Sequence, residues 1–351
     1  GLFESVGYSL EQRDEDDTPT LRIATRPKPW GPTYVHLGLD LATDMKGLSA
    51  FGAVASFQAT ELNRLGADWK TTVRLGSPLE LRTRFYEPLG YTGVFFVSPR
   101  LAWVQSRRDV FQSSVAVGTY RVQTGIAGMD VGMNLGTVGR ISLGYERGYG
   151  SGRRSVGDPA FPDVDFQTGA VVADLAIDQL DDASLPREGH LLEMHYTGER
   201  VGLGATSSYD RIEARAGVVT TRGRWSTGLV LAGGGGAAGD IPFYDEFQLG
   251  GLFRLSGRPR GQLTGDHYLL GNVLVYRRMT KVAGSVLKHF YVGASVEGGQ
   301  AAAAREDLAP AKMKRSGSLF VVGDTFFGPL LLAYGHASGN DSLYLFLNRP
   351  F

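Results

Sequence analysis

The side chains able to do covalent chemistry are few and scattered in this 351-residue chain. It has no cysteine, which removes thiolate nucleophiles, thiolate metal sites and a disulfide scaffold together. No Gly-x-Ser-x-Gly turn presents a nucleophilic serine, and no His-Glu-x-x-His pair offers metal ligands on one helix face. The run Gly233-Gly234-Gly235-Gly236 would suit a phosphate loop, but the Lys-Ser/Thr that must follow is missing. The six histidines are dispersed, and His36 and His195 sit in polar phases rather than in a ligand cluster. No enzyme activity, metal or cofactor is expected. What remains is paired charge. Arg82, Arg84, Arg140, Arg211 and Arg215 stand against Glu80, Glu146, Asp174, Asp178 and Glu213. With 36 basic and 36 acidic residues the net charge is zero, which argues against a nucleic-acid partner.

The elements carrying these charges have period two. Val35, Leu37, Leu39 and Leu41 alternate with polar or small residues, as do Leu79, Leu81, Thr83 and Phe85. Ile141, Leu143 and Tyr145 alternate with Arg140, Ser142, Gly144 and Glu146, and Leu192, Met194 and Tyr196 with Glu193, His195 and Thr197. Neighbouring side chains on a strand point to opposite faces, so each segment has one apolar and one charged face. A soluble sandwich also alternates. Here, however, the segments exceed the usual ~5–6 residues. The polar face is dense in charge, and Trp69, Trp103, Tyr145 and Tyr196 lie on the apolar one. Those features predict an outer-membrane β-barrel with a wet lumen, the sheet that satisfies every backbone group in lipid. No window is long and apolar enough for a spanning helix.

About sixteen antiparallel strands are predicted: 33–43, 48–60, 68–76, 79–88, 94–107, 117–134, 138–149, 164–178, 189–202, 207–221, 224–236, 266–279, 288–299, 317–326, 329–337 and 342–350. If residue 33 starts at the periplasmic side, the long connections 150–163, 237–265 and 300–316 all face outward. Turns such as Gly136-Thr137 and Arg222-Gly223 then face inward, with a longer inner exception at Asp181–Glu188. Residues 1–32 read as a hairpin around the acidic run Asp14-Glu15-Asp16-Asp17, then a rigid Pro-rich linker. The opening Gly1-Leu2-Phe3 reads as the start of a C-terminal piece of something longer.

Three segments carry a family resemblance. Gly1 through Tyr8, then Lys28-Pro29-Trp30-Gly31-Pro32, then Tyr34 through Leu41, resemble the junction between a POTRA domain and its barrel. The superfamily is that of the bacterial surface antigen barrels, which includes insertases and two-partner secretion transporters. The Lys-Pro-Trp-Gly-Pro form looks most like the type V secretion branch whose members carry a patatin-like phospholipase. Phe247 through Gly257 resembles the approach to the sixth outer loop, which folds into the lumen. The family tip reads hydrophobic-Arg-Gly-aromatic, whereas this chain has Leu255-Ser256-Gly257-Arg258. The tip arginine's usual acidic partner on the wall is matched by Glu297, followed by Gly298. Arg254, Arg258 and a Ser256 hydrogen bond all stand as replacements for the missing contact. The last strand, with Tyr344, Phe346 and the terminal Phe351, resembles the signal read by the barrel-insertion machinery.

The resemblance implies an outer-membrane barrel of a Gram-negative bacterium. It would secrete or display its own N-terminal passenger, a patatin-like phospholipase. The implied partners are membrane lipid, the insertion machinery and that passenger, and the lipid phase offers a surface for a homodimer. An insertase or two-partner transporter barrel and a passive porin are the alternatives. The arginine-rich lumen reads either as a balanced wet interior or as a contact for a translocating polypeptide.

Overall fold

A computed structural model describes residues 3–11, 20–27, 33–43, 49–112, 115–157, 162–279, 290–325 and 328–347. Strands β1 (Phe3–Glu11) and β2 (Thr20–Pro27) form a separate antiparallel hairpin. The wall begins with β3 (Thr33–Thr43), β4 (Ser49–Ala59), β5 (Asp68–Gly76), β6 (Leu79–Leu89) and β7 (Phe95–Gln112). It continues through β8 (Val115–Asn134), β9 (Gly139–Gly157), β10 (Val164–Asp178), β11 (Gly189–Glu199), β12 (Tyr209–Arg222) and β13 (Trp225–Ala238). An excursion carries the short pair β14 (Phe247–Leu249) and β15 (Leu263–Gly265). The wall then resumes with β16 (His267–Arg278), β17 (Phe290–Ala302), β18 (Lys314–Thr325), β19 (Gly328–Ala337) and β20 (Asn340–Leu347). The sixteen wall strands close into one antiparallel barrel, with β20 paired to β3.

Alternation decides which face is which. Leu37, Leu143, Leu319 and Val296 are all exposed outward, whereas Glu297, Ser295, Phe320 and Tyr344 are buried on the inner face. A charge placed on the outer face would meet lipid. Leu143→Arg is expected to lower stability by roughly 2–4 kcal/mol, with Leu143→Ala costing much less, as read by denaturant unfolding from vesicles.

Three strands run further than their alternation predicts. The segments expected at 94–107, 117–134 and 138–149 extend as β7, β8 and β9 to Gln112, from Val115, and to Gly157. The extensions contain Arg108, Asp109, Arg153 and Arg154 and lack an apolar face. Beyond the bilayer neither face needs one, and polar cross-strand pairs suffice. The Thr119 hydroxyl donates to Asp109 of the β7 extension at 2.7 Å. At ~3.4 Å per residue these strands are about 60 Å long, well beyond the 9–11 residues a tilted strand needs to span.

Loop asymmetry has exceptions besides the expected one at Asp181–Glu188. Ser77-Pro78 and Ser338-Gly339 are short outer turns, while 60–67 and 179–188 are longer inner ones. The second of these folds under the barrel. Asp181 accepts the backbone N–H groups of Arg187 and Glu188 at 2.7 and 3.1 Å, and Leu185 packs beneath the aromatic cluster of Tyr276, Tyr291 and Phe320.

Candidate functional site

The connection from β13 to β16 turns inward and crosses the lumen. Its root packs on the outer ends of β8 and β10. Tyr244 stacks on Phe166 with ring centroids 3.7 Å apart, and Phe243 tilts against Tyr120 at 4.9 Å. The Tyr209 hydroxyl donates to Asp245 at 3.0 Å, and Arg108 donates to the Glu246 carbonyl at 3.0 Å. The root is dry enough to perturb its acids. Burial pushes the Tyr244 phenol up to about 12 and raises the Glu246 carboxyl, the latter against a hydrogen bond from Thr264. Further in, Phe247 lies 4.9 Å from the Tyr268 ring and beneath the Arg211 guanidinium, 4.0 Å from its own centroid.

The tip is a tight, strained turn. Gly250, Gly251 and Gly257 have φ of +128°, +95° and +90°, while Phe253 and Leu255 occupy the left-handed region at +61° and +79° without being glycine. Each non-glycine residue held there costs about 1–2 kcal/mol. The strain aims two consecutive N–H groups at one acceptor, Glu297 on β17. Its Oε2 accepts the backbone N–H groups of Leu255 and Ser256, both at 2.7 Å, and the Ser316 hydroxyl at 3.3 Å. Its Oε1 accepts the hydroxyls of Ser256 and Ser295, both at 2.6 Å. Ser256 in turn accepts the Phe253 N–H at 2.9 Å. Glu297 is 1% exposed, so these donors replace its hydration shell.

Other groups finish the seat. The Gly257 N–H donates to the Tyr344 hydroxyl at 3.0 Å, and the Ser342 hydroxyl donates to the Gly257 carbonyl at 2.9 Å. Asn272 donates to the Phe253 carbonyl at 3.1 Å, and the Phe253 ring meets Phe320 edge-on at 5.3 Å. Tip and wall touch through glycine on both sides. A Cβ at Gly257 would lie 2.6 Å from the Ala337 nitrogen, and one at Gly335 would lie 2.6 Å from the Gly257 nitrogen and 2.8 Å from the Ser256 Cβ. Gly335→Ala is therefore expected to lift the tip while leaving the barrel folded. Faster cleavage of the loop by an added protease is the readout, and an unchanged digestion pattern would contradict the close seat.

The structure selects among the sequence expectations. Ser256 makes the contact with Glu297. Arg254 lies over Tyr268 at 5.8 Å and Arg258 donates to Gln262 at 3.1 Å, and neither pairs with Glu297. Among the described residues no cation forms an ion pair with Glu297. Gly298 does not face the loop. It follows Glu297 by one residue and so points to the other face, where a Cβ would meet only Met313 at 3.8 Å. Gly299 is the inward neighbour, 3.4 Å from Leu255 on the same measure. Tyr344 and Phe346 point into the lumen, 4% and 9% exposed, and Leu343 and Leu345 take the lipid face of that strand. Lys28, Pro29, Trp30, Gly31, Pro32 and Phe351 lie outside the described residues.

Ser316, Ser342, Asn272 and Gly335 went unrecognised in the sequence. Asn272 and Ser316 stand directly opposite Glu297 on its two neighbouring strands. That row exists only once the register is known, so a single sequence does not display it.

A family model described as the Omp85 superfamily domain matches residues 63–340. No curated protein sequence matches. Among solved structures, the barrel resembles BamA from Haemophilus ducreyi lacking POTRA domains 1–3, with a TM-score of 0.74 at 11% identity, covering 99% of this chain and 76% of that one. It also resembles CdiB from Acinetobacter baumannii, with a TM-score of 0.64 at 11% identity, covering 99% of this chain and 65% of that one. For CdiB from Escherichia coli the values are 0.64 and 10%, over 98% and 67%.

Proposed function

Because the chain belongs to the Omp85 superfamily, and so is an outer-membrane barrel of the transporter and insertase type rather than an enzyme, we propose that it is the translocator of an N-terminal passenger. In this reading β1 and β2 are the last hairpin of a POTRA domain, residues 1–32 lead into the barrel, and the passenger is a patatin-like phospholipase. The observation that carries a translocator over an open pore is the sixth loop, fastened across the lumen to Glu297. A passive porin would need that space clear. The junction Lys28-Pro29-Trp30-Gly31-Pro32 supports the lipase branch by resemblance.

Sequencing the coding region upstream of Gly1 tests the passenger. A Gly-x-Ser-x-Gly elbow with a distant Asp-Gly pair, followed by one POTRA domain, supports the reading. Several POTRA domains and no hydrolase would move the chain to the insertase or two-partner transporter branch and end the lipase claim.

A further inference from the structure

Beneath the sixth loop the lumen contains a cavity of about 580 Å³. Arg254 and Tyr268 line its roof, and its wall includes Arg84, Arg100, Arg140, Arg215, Asp130, Asp174, Glu193 and Glu213. It lies toward the periplasmic end. Arg140 is the second residue of β9, and Glu193 is near the start of β11, both next to inner turns.

The acids of this cavity are already engaged. Arg100 holds Asp130 at 3.0 Å and Glu146 at 2.8 Å. His195 meets Asp174 at 2.7 Å, and Arg215 lies 3.6 Å from Glu193. Glu213 is taken by Arg211 at 3.2 Å and the Tyr268 hydroxyl at 2.7 Å. Arg254 is taken up by the Gln248 carbonyl at 3.3 Å and the Tyr268 ring, which leaves two cations over. Among the described residues, no carboxylate comes within 4.0 Å of Arg84 or Arg140. Asp68 and Asp130 act on Arg84 only through space, and Arg140 repels it. Arg84 also stands directly opposite Arg100 on β7 and Lys70 on β5, so three cations fall in one cross-strand row. Like charges set opposite one another destabilise a sheet, and a bound anion relieves them.

We propose that this cavity is an oxyanion site, with Arg84 and Arg140 as its clamp and a phosphate or carboxylate group as its ligand. A guanidinium presents a planar fork of N–H donors that matches either oxyanion, and two forks in a half-desolvated chamber hold it more strongly than either would in water. The site faces the compartment from which a polypeptide or a small anion would enter. The assignment does not depend on the identity of any passenger.

The test is a 31P linewidth titration of inorganic phosphate against the refolded barrel in a detergent free of phosphate. The wild-type barrel is expected to give saturable broadening. Arg84→Gln/Arg140→Gln should weaken the apparent affinity by roughly tenfold or more. Arg82→Gln, on the same strand but paired to Glu80, should leave it unchanged. A tetra-aspartate peptide that displaces phosphate supports the clamp with a polypeptide carboxylate as ligand. A peptide that leaves the broadening in place supports it with phosphate. Absence of saturable broadening in the wild type would overturn the site, as would full affinity in a double variant whose heat-modifiable mobility shows it folded. If the double variant does not fold, Arg84→Lys carries the test. It keeps the charge and loses the fork, so binding should weaken, and unchanged affinity would overturn the clamp.

Discussion

Replacing Glu297 with alanine is expected to open the lumen while the wall stays folded. The substitution removes one acceptor and strands five donors: two backbone N–H groups and three hydroxyls. Ser256, Ser295 and Ser316 can rotate toward other partners. The N–H groups of Leu255 and Ser256 cannot, because the left-handed turn fixes their direction. A buried unsatisfied donor costs about 1–3 kcal/mol, so two cost roughly 2–6 kcal/mol. The backbone strain at Phe253 and Leu255 then has nothing to offset it. Both effects favour release of the tip, whereas the β17 ladder with β16 and β18 is untouched. Single-channel recording in planar bilayers should show small or flickering currents for the wild type and severalfold larger, steadier ones for Glu297→Ala. Glu297→Gln should fall between, since an amide keeps one acceptor oxygen where the carboxylate has two. Equal currents for all three would mean that the tip does not occlude the lumen.

A second large effect is expected at the seam. In the described residues β20 meets β3 only from Leu347 opposite Leu39 to Leu343 opposite Thr43, five residues of each strand. With each hydrogen bond contributing about 0.5–1.5 kcal/mol, these five pairs are worth roughly 5 kcal/mol. Leu41 and Leu345 are register partners on the lipid face. Residues 1–351 contain no cysteine, so within them Leu41→Cys/Leu345→Cys can form one disulfide and no other. If translocation uses lateral opening, oxidation should block surface delivery of the upstream polypeptide in the full-length protein, and a reductant should restore it. Delivery unaffected by the closed disulfide would remove lateral opening from the mechanism.

Much of this was legible in the sequence, for a physical reason. A lipid-facing strand must be apolar at every second residue, so Val35 through Leu41 or Ile141 through Tyr145 announce both strand and face. All sixteen wall strands were placed this way. Strand ends were less legible where the constraint lapses, as in the polar extensions of β7, β8 and β9. The latch was half legible. Ser256 and Glu297 were identified, and the open question of an arginine contact closed in favour of the serine. Gly298 was misassigned by one residue, which on a strand is a change of face. Gly335, Asn272 and Ser316 depend on strand register and on the path of a loop 28 residues long between β13 and β16. Neither is written in local periodicity.

The measurement that bears most directly on the latch is the thiol reactivity of Ser256→Cys in intact cells. Ser256 is fully buried between the tip and the wall. A membrane-impermeant maleimide should modify it on the order of 100-fold more slowly than Glu306→Cys on an exposed outer turn, because reaction requires the tip to leave its seat. Adding Glu297→Ala should bring the rate up toward that of the exposed control. Equal labelling of the two single-cysteine proteins, with Glu297 intact, would show that the sixth loop is not seated on the wall and would contradict the account.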